Sequence, residues 1–267
     1  MIASLDPVGN ATERWLDAAR GPLVLGICGA QGSGKSTLAD ALVSRFAAAG
    51  IRAATLSLDD LYLGRAARAE LARDVHPLFA TRGVPLTHDA ASGCAILDAV
   101  RAGTPVQLPR FDKASDAPLP REAWEAVDAL DLLIFEGWCV GARPQADVAL
   151  ADPVNRLEQD EDPDGIWRRA VNAALAGPYR ALFDRIDRLV LLAAPDFSVV
   201  RRWRGEQEAA LRARLRREGR DPAETMDDAA LDRFVEHYER ITRSILTEMP
   251  ARADLTLRLD AQRAIIT

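Results

Sequence analysis

Leu23-Val24-Leu25-Gly26-Ile27-Cys28-Gly29-Ala30-Gln31-Gly32-Ser33-Gly34-Lys35-Ser36 is a continuous apolar run that ends in a glycine-rich turn. The run has the pattern of a parallel strand buried on both faces. Its continuation, Gly29 to Ser36, matches G-x-x-x-x-G-K-[S/T] at every fixed position. Beyond it, Leu38, Leu42 and Phe46 recur at helical spacing from Lys35 to about Ala49, and Gly50 is placed to cap the C-terminus. Strand, turn and helix in that order are the context in which this pattern binds phosphate. The glycines let successive N–H groups point inward, and the helix N-terminus favours negative charge. Gly29, Ala30, Gln31, Gly32, Ser33, Gly34, Lys35, Ser36 and Thr37 are therefore expected to hold a nucleotide, with ATP and Mg²⁺ as cofactors. Lys35 would reach the β/γ phosphates and the Ser36 hydroxyl would ligate Mg²⁺.

Working outward, a helix is predicted from about Asn10 to Arg20 and strands over Ala53–Leu58, Leu132–Phe135, Leu189–Leu192 and Leu255–Leu259. Helices are predicted over about Ala90–Ala102, Phe197–Gly219 and Asp227–Glu248. Residues 62–90 read as mixed and turn-rich, 103–121 as loop and 141–165 as irregular, with Glu158-Gln159-Asp160-Glu161-Asp162 a solvated acidic loop. Strands alternating with helices predict an α/β fold of P-loop NTPase type: three layers, a mainly parallel sheet of about five strands, and a helical lid. No linker or repeat divides the chain. A single domain over 1–267 is expected, with phosphate and acceptor sites in 22–140 and the lid helices and closing strand in 141–267.

The net charge of −6 argues against non-specific nucleic-acid binding. No apolar run is long enough to span a bilayer. The three cysteines, Cys28, Cys94 and Cys139, form no CxxC pair, and Met1–Pro7 lacks the pattern of a signal peptide. A reduced, cytoplasmic setting and a small-molecule substrate are expected; oligomeric state is not legible.

Ligands of open α/β sheets lie beyond the carboxyl ends of the strands. Asp59, Asp60 and Glu136 occupy such ends. Phosphoryl transfer to an alcohol needs a carboxylate to orient the hydroxyl and accept its proton, and an acidic residue on the metal side. Asp59 suits the first task and Glu136 the second, and Asp60 can share either. The alternative is that Asp59-Asp60 caps a following helix.

Gly29–Ser36, Ser57-Leu58-Asp59-Asp60-Leu61-Tyr62 and Phe135-Glu136-Gly137 together resemble the phosphoribulokinase/uridine kinase superfamily of P-loop small-molecule kinases. Further blocks are Arg82-Gly83-Val84-Pro85-Leu86-Thr87-His88-Asp89, Leu108-Pro109-Arg110-Phe111-Asp112-Lys113 and Phe135-Glu136-Gly137-Trp138. With His76-Pro77-Leu78 and Val154-Asn155, they resemble the D-glycerate 3-kinase family within it. The resemblance implies transfer of the ATP γ-phosphoryl to the 3-hydroxyl of D-glycerate. It implies Asp59 as catalytic base, Ser36 and Glu136 on Mg²⁺ and Asp89 on the acceptor. Arg201 and Arg204 would lie on a lid helix whose arginines approach the phosphates. Phe111 stands where the family pattern carries tyrosine, and Ala114–Pro120 replaces a glycine-rich continuation. Other acceptors in the same class are a nucleoside, a pantothenate-like acid or another sugar acid. A nucleotide switch or ATPase is the reading from a different class.

Only two of the 34 basic residues are lysine, Lys35 and Lys113. Lys113 and Arg110 are expected to clamp an acceptor carboxylate or the transferring phosphoryl group. His88 is expected to shape the acceptor pocket, and Trp138 to form a wall of the pocket or the core.

Overall fold

The computed structural model describes residues 4–218 and 226–266. The elements, in chain order, begin with α1 (Leu5–Ala18), β1 (Leu23–Gly29), α2 (Lys35–Ala48), β2 (Ala53–Ser57), α3 (Arg65–Asp74) and α4 (Ala90–Arg101). Next come β3 (Val106–Leu108), β4 (Phe111–Asp112), β5 (Ala117–Pro118), β6 (Glu125–Val127) and β7 (Leu132–Gly137). The rest are α5 (Arg156–Glu161), α6 (Ile166–Ala176), α7 (Pro178–Phe183), β8 (Arg188–Ala193), α8 (Ser198–Arg217), α9 (Asp228–Glu248), β9 (Leu255–Leu259) and β10 (Ile265–Ile266).

One sheet carries the order β10-β9-β8-β1-β7-β2, parallel throughout except for β10. All seven residues of β1 are buried, because both of its faces are covered. Strand alternation divides the core in two. Leu23, Leu25 and Ile27 face α1 and α2 together with Trp203 of α8. Val24 and Cys28 face α4, α6, α7 and α9 through Leu97, Leu175, Leu182 and Ile241. The result is the expected three-layer α/β fold. Among the described residues, no helix is long and apolar enough to cross a membrane.

Several sequence expectations are corrected. The sheet has six strands, not about five, because the β9–β10 hairpin adds an antiparallel edge. The first helix begins at Leu5, with Pro7 in its first turn, where a missing N–H is tolerated. The turn-rich stretch 62–90 contains α3, and the loop 103–121 contributes the antiparallel pairs β3–β6 and β4–β5. The acidic stretch is helix α5, and Glu158 and Asp162 are buried. Arg240, 82 residues away in sequence, pairs with Glu158, and the nearby Arg168 pairs with Asp162, so each carboxylate is neutralised inside the protein by a guanidinium. The long arginine-rich helix is present as α8; Gly219, its expected end, lies outside the described residues.

Candidate active site

Parallel strands bring their carboxyl ends to one edge of the sheet. Pairing of Ser57 with Glu136 across β2 and β7, and of Ile27 with Glu136 across β1 and β7, sets the phosphate turn, the Asp59 turn and Glu136 side by side. Between them and helices α8 and α9 lies a cleft of about 660 Å³, within the ordinary range for a small-molecule site. Gln31, Gly32, Lys35 and Ser36 form its floor. Asp59, Trp138, Lys113 and Arg204 also line it, as do Tyr62, Arg82, Gln207 and Tyr238.

The phosphate turn is held from outside. Gly32 adopts φ 77°, and a Cβ there would stand 2.7 Å from Trp203 Cβ, so only glycine permits this contact with α8. Arg263 Nε donates to the Gly32 carbonyl at 2.5 Å, and its guanidinium lies 5.0 Å from the Trp203 ring centroid. Gly34 takes φ 91° as the N-cap of α2. Ala30 is buried against Val200, Leu231 and Val235. The polar side-chain atoms of Gln31 and Ser33 are buried without a partner. Thr37 stands exposed on the first turn of α2. Lys35 makes no ion pair among the described residues, which leaves its ammonium available to an anionic ligand.

The Ser36 hydroxyl donates to Glu136 Oε1 at 2.9 Å. Glu136 is buried, and its Oε2 has no partner among the described residues. A hydroxyl oxygen beside a carboxylate with one unsatisfied oxygen is a donor set suited to a hard cation such as Mg²⁺, which takes few protein ligands alongside phosphate oxygens.

Asp59 follows β2 in a short 3₁₀ turn, Leu58–Leu61. The Ser57 hydroxyl accepts from the Asp59 N–H at the start of that turn, so neither Asp59 nor Asp60 serves as its cap. Asp59 Oδ1 accepts from the Tyr62 hydroxyl at 2.7 Å, and Oδ2 accepts from Lys113 Nζ at 2.6 Å. Burial alone would raise its pKa, but Lys113 and Tyr62 outweigh that and bring it to about 2. Tyr62 stacks on His88 with ring centroids 4.6 Å apart and meets Phe111 edge-on.

Lys113 sits at the tip of the β4–β5 hairpin. Asp116, on the same turn with φ 56°, accepts from Arg68 and Arg82 and lies 3.4 Å from Arg65. Arg68 is almost fully buried, so this hub fixes the tip to the body of the protein. At the hairpin root, Asp60 accepts from Phe111 N at 3.2 Å and faces Arg110 at 3.4 Å. Burial raises the Asp60 pKa, with Arg110 opposing it.

Of the acceptor residues expected from sequence, only Lys113 and Trp138 line the cleft. Arg110 is turned toward Asp60 and Glu125. Asp89 caps α4 through Ser92, with both carboxylate oxygens engaged. His88 is buried behind Tyr62 and bonded to the Tyr179 hydroxyl, and burial lowers its pKa to about 3. Arg204 reaches the cleft, pairing with Glu208 and lying over Phe234. Arg201 pairs with Asp232 and Asp228 and does not line the cleft.

Tyr62, Arg82 and Tyr238 are among the cleft residues that were given no role from sequence. Tyr62 stands three positions after Asp59 on the same turn. Arg82 lies inside the Arg82–Asp89 block. Its peptide is held by Tyr238, whose hydroxyl donates to the Arg82 carbonyl at 3.2 Å, and by Trp138 Nε1, which donates to the Gly83 carbonyl at 2.8 Å. Tyr238 lies 156 residues from Arg82, and no local signal marks it.

A parallel sheet with a phosphate turn, a strand-end carboxylate pair and lid helices defines a P-loop phosphotransferase class. No family model matches the chain. A Schizosaccharomyces pombe protein named uncharacterized kinase mug58 is 35% identical over 229 residues, spanning 81% of this chain and 78% of that protein. The chloroplastic D-glycerate 3-kinase of Arabidopsis thaliana is 33% identical over 231 residues; these cover 81% of this chain but 46% of that protein, so the chain spans about half its length. Among solved structures, the D-glycerate 3-kinase of Cryptococcus neoformans has a similar fold, with TM-score 0.77 at 24% identity over 99% of this chain and 98% of that one. The chain belongs to the glycerate-kinase-like family of P-loop kinases that these relatives represent. It is a kinase that uses ATP.

Proposed function

We propose that the chain transfers the γ-phosphoryl group of Mg·ATP to the 3-hydroxyl of D-glycerate. The observation that carries this reading is the pair Asp59 and Lys113, 2.6 Å apart in the cleft that also holds Lys35 and Ser36. A base and a cation side by side match a substrate with an alcohol and a carboxylate on a three-carbon frame. Arg82, 29% exposed and lining the same cleft beside Asp116, is the second cation of that clamp, in the place first expected of Arg110.

Lys35 and the turn N–H groups hold the β and γ phosphates. Ser36 and Glu136 would hold Mg²⁺, which when bound supplies charge neutralisation between the phosphates. Asp59 orients the acceptor hydroxyl and takes its proton. Arg204 approaches the transferring group from α8. Tyr62, Trp138 and Tyr238 wall the cleft and limit water.

The test is ADP release with Mg·ATP and, in turn, D-glycerate, L-glycerate, uridine, pantothenate and ribulose 5-phosphate, with Asp59→Asn as the blank. Turnover with D-glycerate that vanishes in the blank is expected. Turnover with another acceptor alone discards glycerate, and acceptor-independent hydrolysis alone discards the kinase reading of this cleft.

A further inference from the structure

Asp59 has no free oxygen. One accepts from Tyr62 and the other from Lys113, at 2.7 and 2.6 Å. A carboxylate bonded in this way is a poor proton acceptor, because the ammonium and the hydroxyl both stabilise its ionised form. Lys113 has no other ion-pair partner among the described residues, and its side chain is 60% exposed. The backbone beneath it is fixed by Asp116 on Arg68 and Arg82. The tip of the hairpin is therefore held while the flexible lysine stem can redirect its ammonium.

We propose that Lys113 is a substrate-operated cover on the base. The carboxylate of the acceptor draws the ammonium off Asp59 Oδ2, and with that bond gone the oxygen is basic enough to receive the proton of the acceptor hydroxyl. The inference deepens the reading of Asp59 as base and of the acceptor as a hydroxy acid. In the transfer step, the acceptor O–H breaks with its proton passing to Asp59 Oδ2, and an O–P bond forms to the γ phosphorus. The bond from that phosphorus to the β,γ-bridging oxygen breaks, and its electron pair leaves on ADP. Water entering in place of the acceptor would follow the same course and yield inorganic phosphate. With no acceptor carboxylate present to move Lys113, that course is blocked. Specificity thus appears in turnover as well as in binding: glycerol offers the same hydroxyl but nothing to attract the ammonium.

A purely structural ion pair predicts no change in basal hydrolysis when Lys113 is removed, and a Lys113 that stabilises the transferring phosphoryl group predicts a fall. The experiment measures phosphate release from Mg·ATP without acceptor, and ADP release with D-glycerate and with glycerol, for wild type, Lys113→Met and Lys113→Gln. Unfolding midpoints and nucleotide binding are checked in parallel. In both variants basal hydrolysis is expected to rise about tenfold, a fraction of what general base catalysis commonly contributes. The preference for glycerate over glycerol should collapse. Adding Asp59→Asn to Lys113→Met should abolish the gained hydrolysis. In the unaltered protein, D-lactate, which has the carboxylate and 2-hydroxyl of glycerate but no 3-hydroxyl, should stimulate hydrolysis, and in Lys113→Met it should not. Basal hydrolysis that is unchanged or lower in the variants overturns the cover, as does a wild type that turns over D-glycerate yet is indifferent to D-lactate. Basal hydrolysis does not depend on which acid is the acceptor, so loss of glycerate as substrate and loss of the cover are separate results.

Discussion

The two lysines sit in opposite surroundings. Lys35 follows a turn made of adjacent residues, makes no ion pair among the described residues and is placed by backbone geometry. Lys113 is carried by a hairpin of two-residue strands, rests on Asp59 and is placed by ion pairs that join residues about 50 positions apart. The phosphate side of the cleft is local and generic; the acceptor side is assembled from distant segments. A site of the first kind is written in one motif. A site of the second kind depends on charges that must each find a partner.

The largest effect expected on this contrast comes from Asp59→Asn. Turnover should fall about a thousandfold, the middle of the range for loss of a general base, with ATP binding retained in a nucleotide titration. Lys35→Ala should lose both. An Asp59→Asn protein that keeps a tenth of its turnover would break the division between the two sides. Away from both, Glu158→Gln removes the partner of buried Arg240. Unfolding free energy should drop by about 3 kcal/mol or more in urea titrations, with turnover per folded molecule unchanged.

Asp116→Ala sharpens the contrast. It frees the tip of the hairpin, so the KM for the acceptor should rise about tenfold, equivalent to about 1.4 kcal/mol, while the KM for ATP stays within a factor of two. Equal rises in both would mean that the hub supports the whole cleft. Smaller still is an acid effect. His88 and His237 have pKa values lowered from 6.5 to about 3 and about 4, chiefly by burial. Each gains a proton on unfolding below pH 6.5, so stability is full above that pH and falls as pH drops toward the folded values. Below about pH 6 each should contribute up to about 1.4 kcal/mol per pH unit. Urea midpoints between pH 7 and 5 should show the loss, and His237→Asn should remove about half of it.

The parts legible in the sequence share one property: their signal is contained in neighbouring residues. The phosphate turn, the buried strands and the carboxylates at strand ends all fit that description. Helix α3 was hidden because Arg65–Asp74 is rich in alanine and arginine and buries only Arg68, so it has no apolar stripe to read. The β4–β5 hairpin was hidden because strands of two residues carry no alternation. The stretch 158–162 looked solvated because the guanidinium opposite Glu158 lies 82 residues further on. Arg110 and Asp89 sit in motifs that lead to the site, yet their charges are spent on Asp60, Glu125 and Ser92. Sequence located those segments but not the direction of their side chains.

The contact of Arg263 with the Gly32 carbonyl spans 231 residues. A ribosome emits the phosphate turn early, but β7 and β8, the strands that flank β1, follow more than 100 residues later. The arginine that holds the turn comes later still. Between the turn and that arginine, a nascent chain carries the whole nucleotide motif without the contact that holds it. The support of the phosphate turn is therefore supplied only after β1, β7, β8 and β9 have all been made.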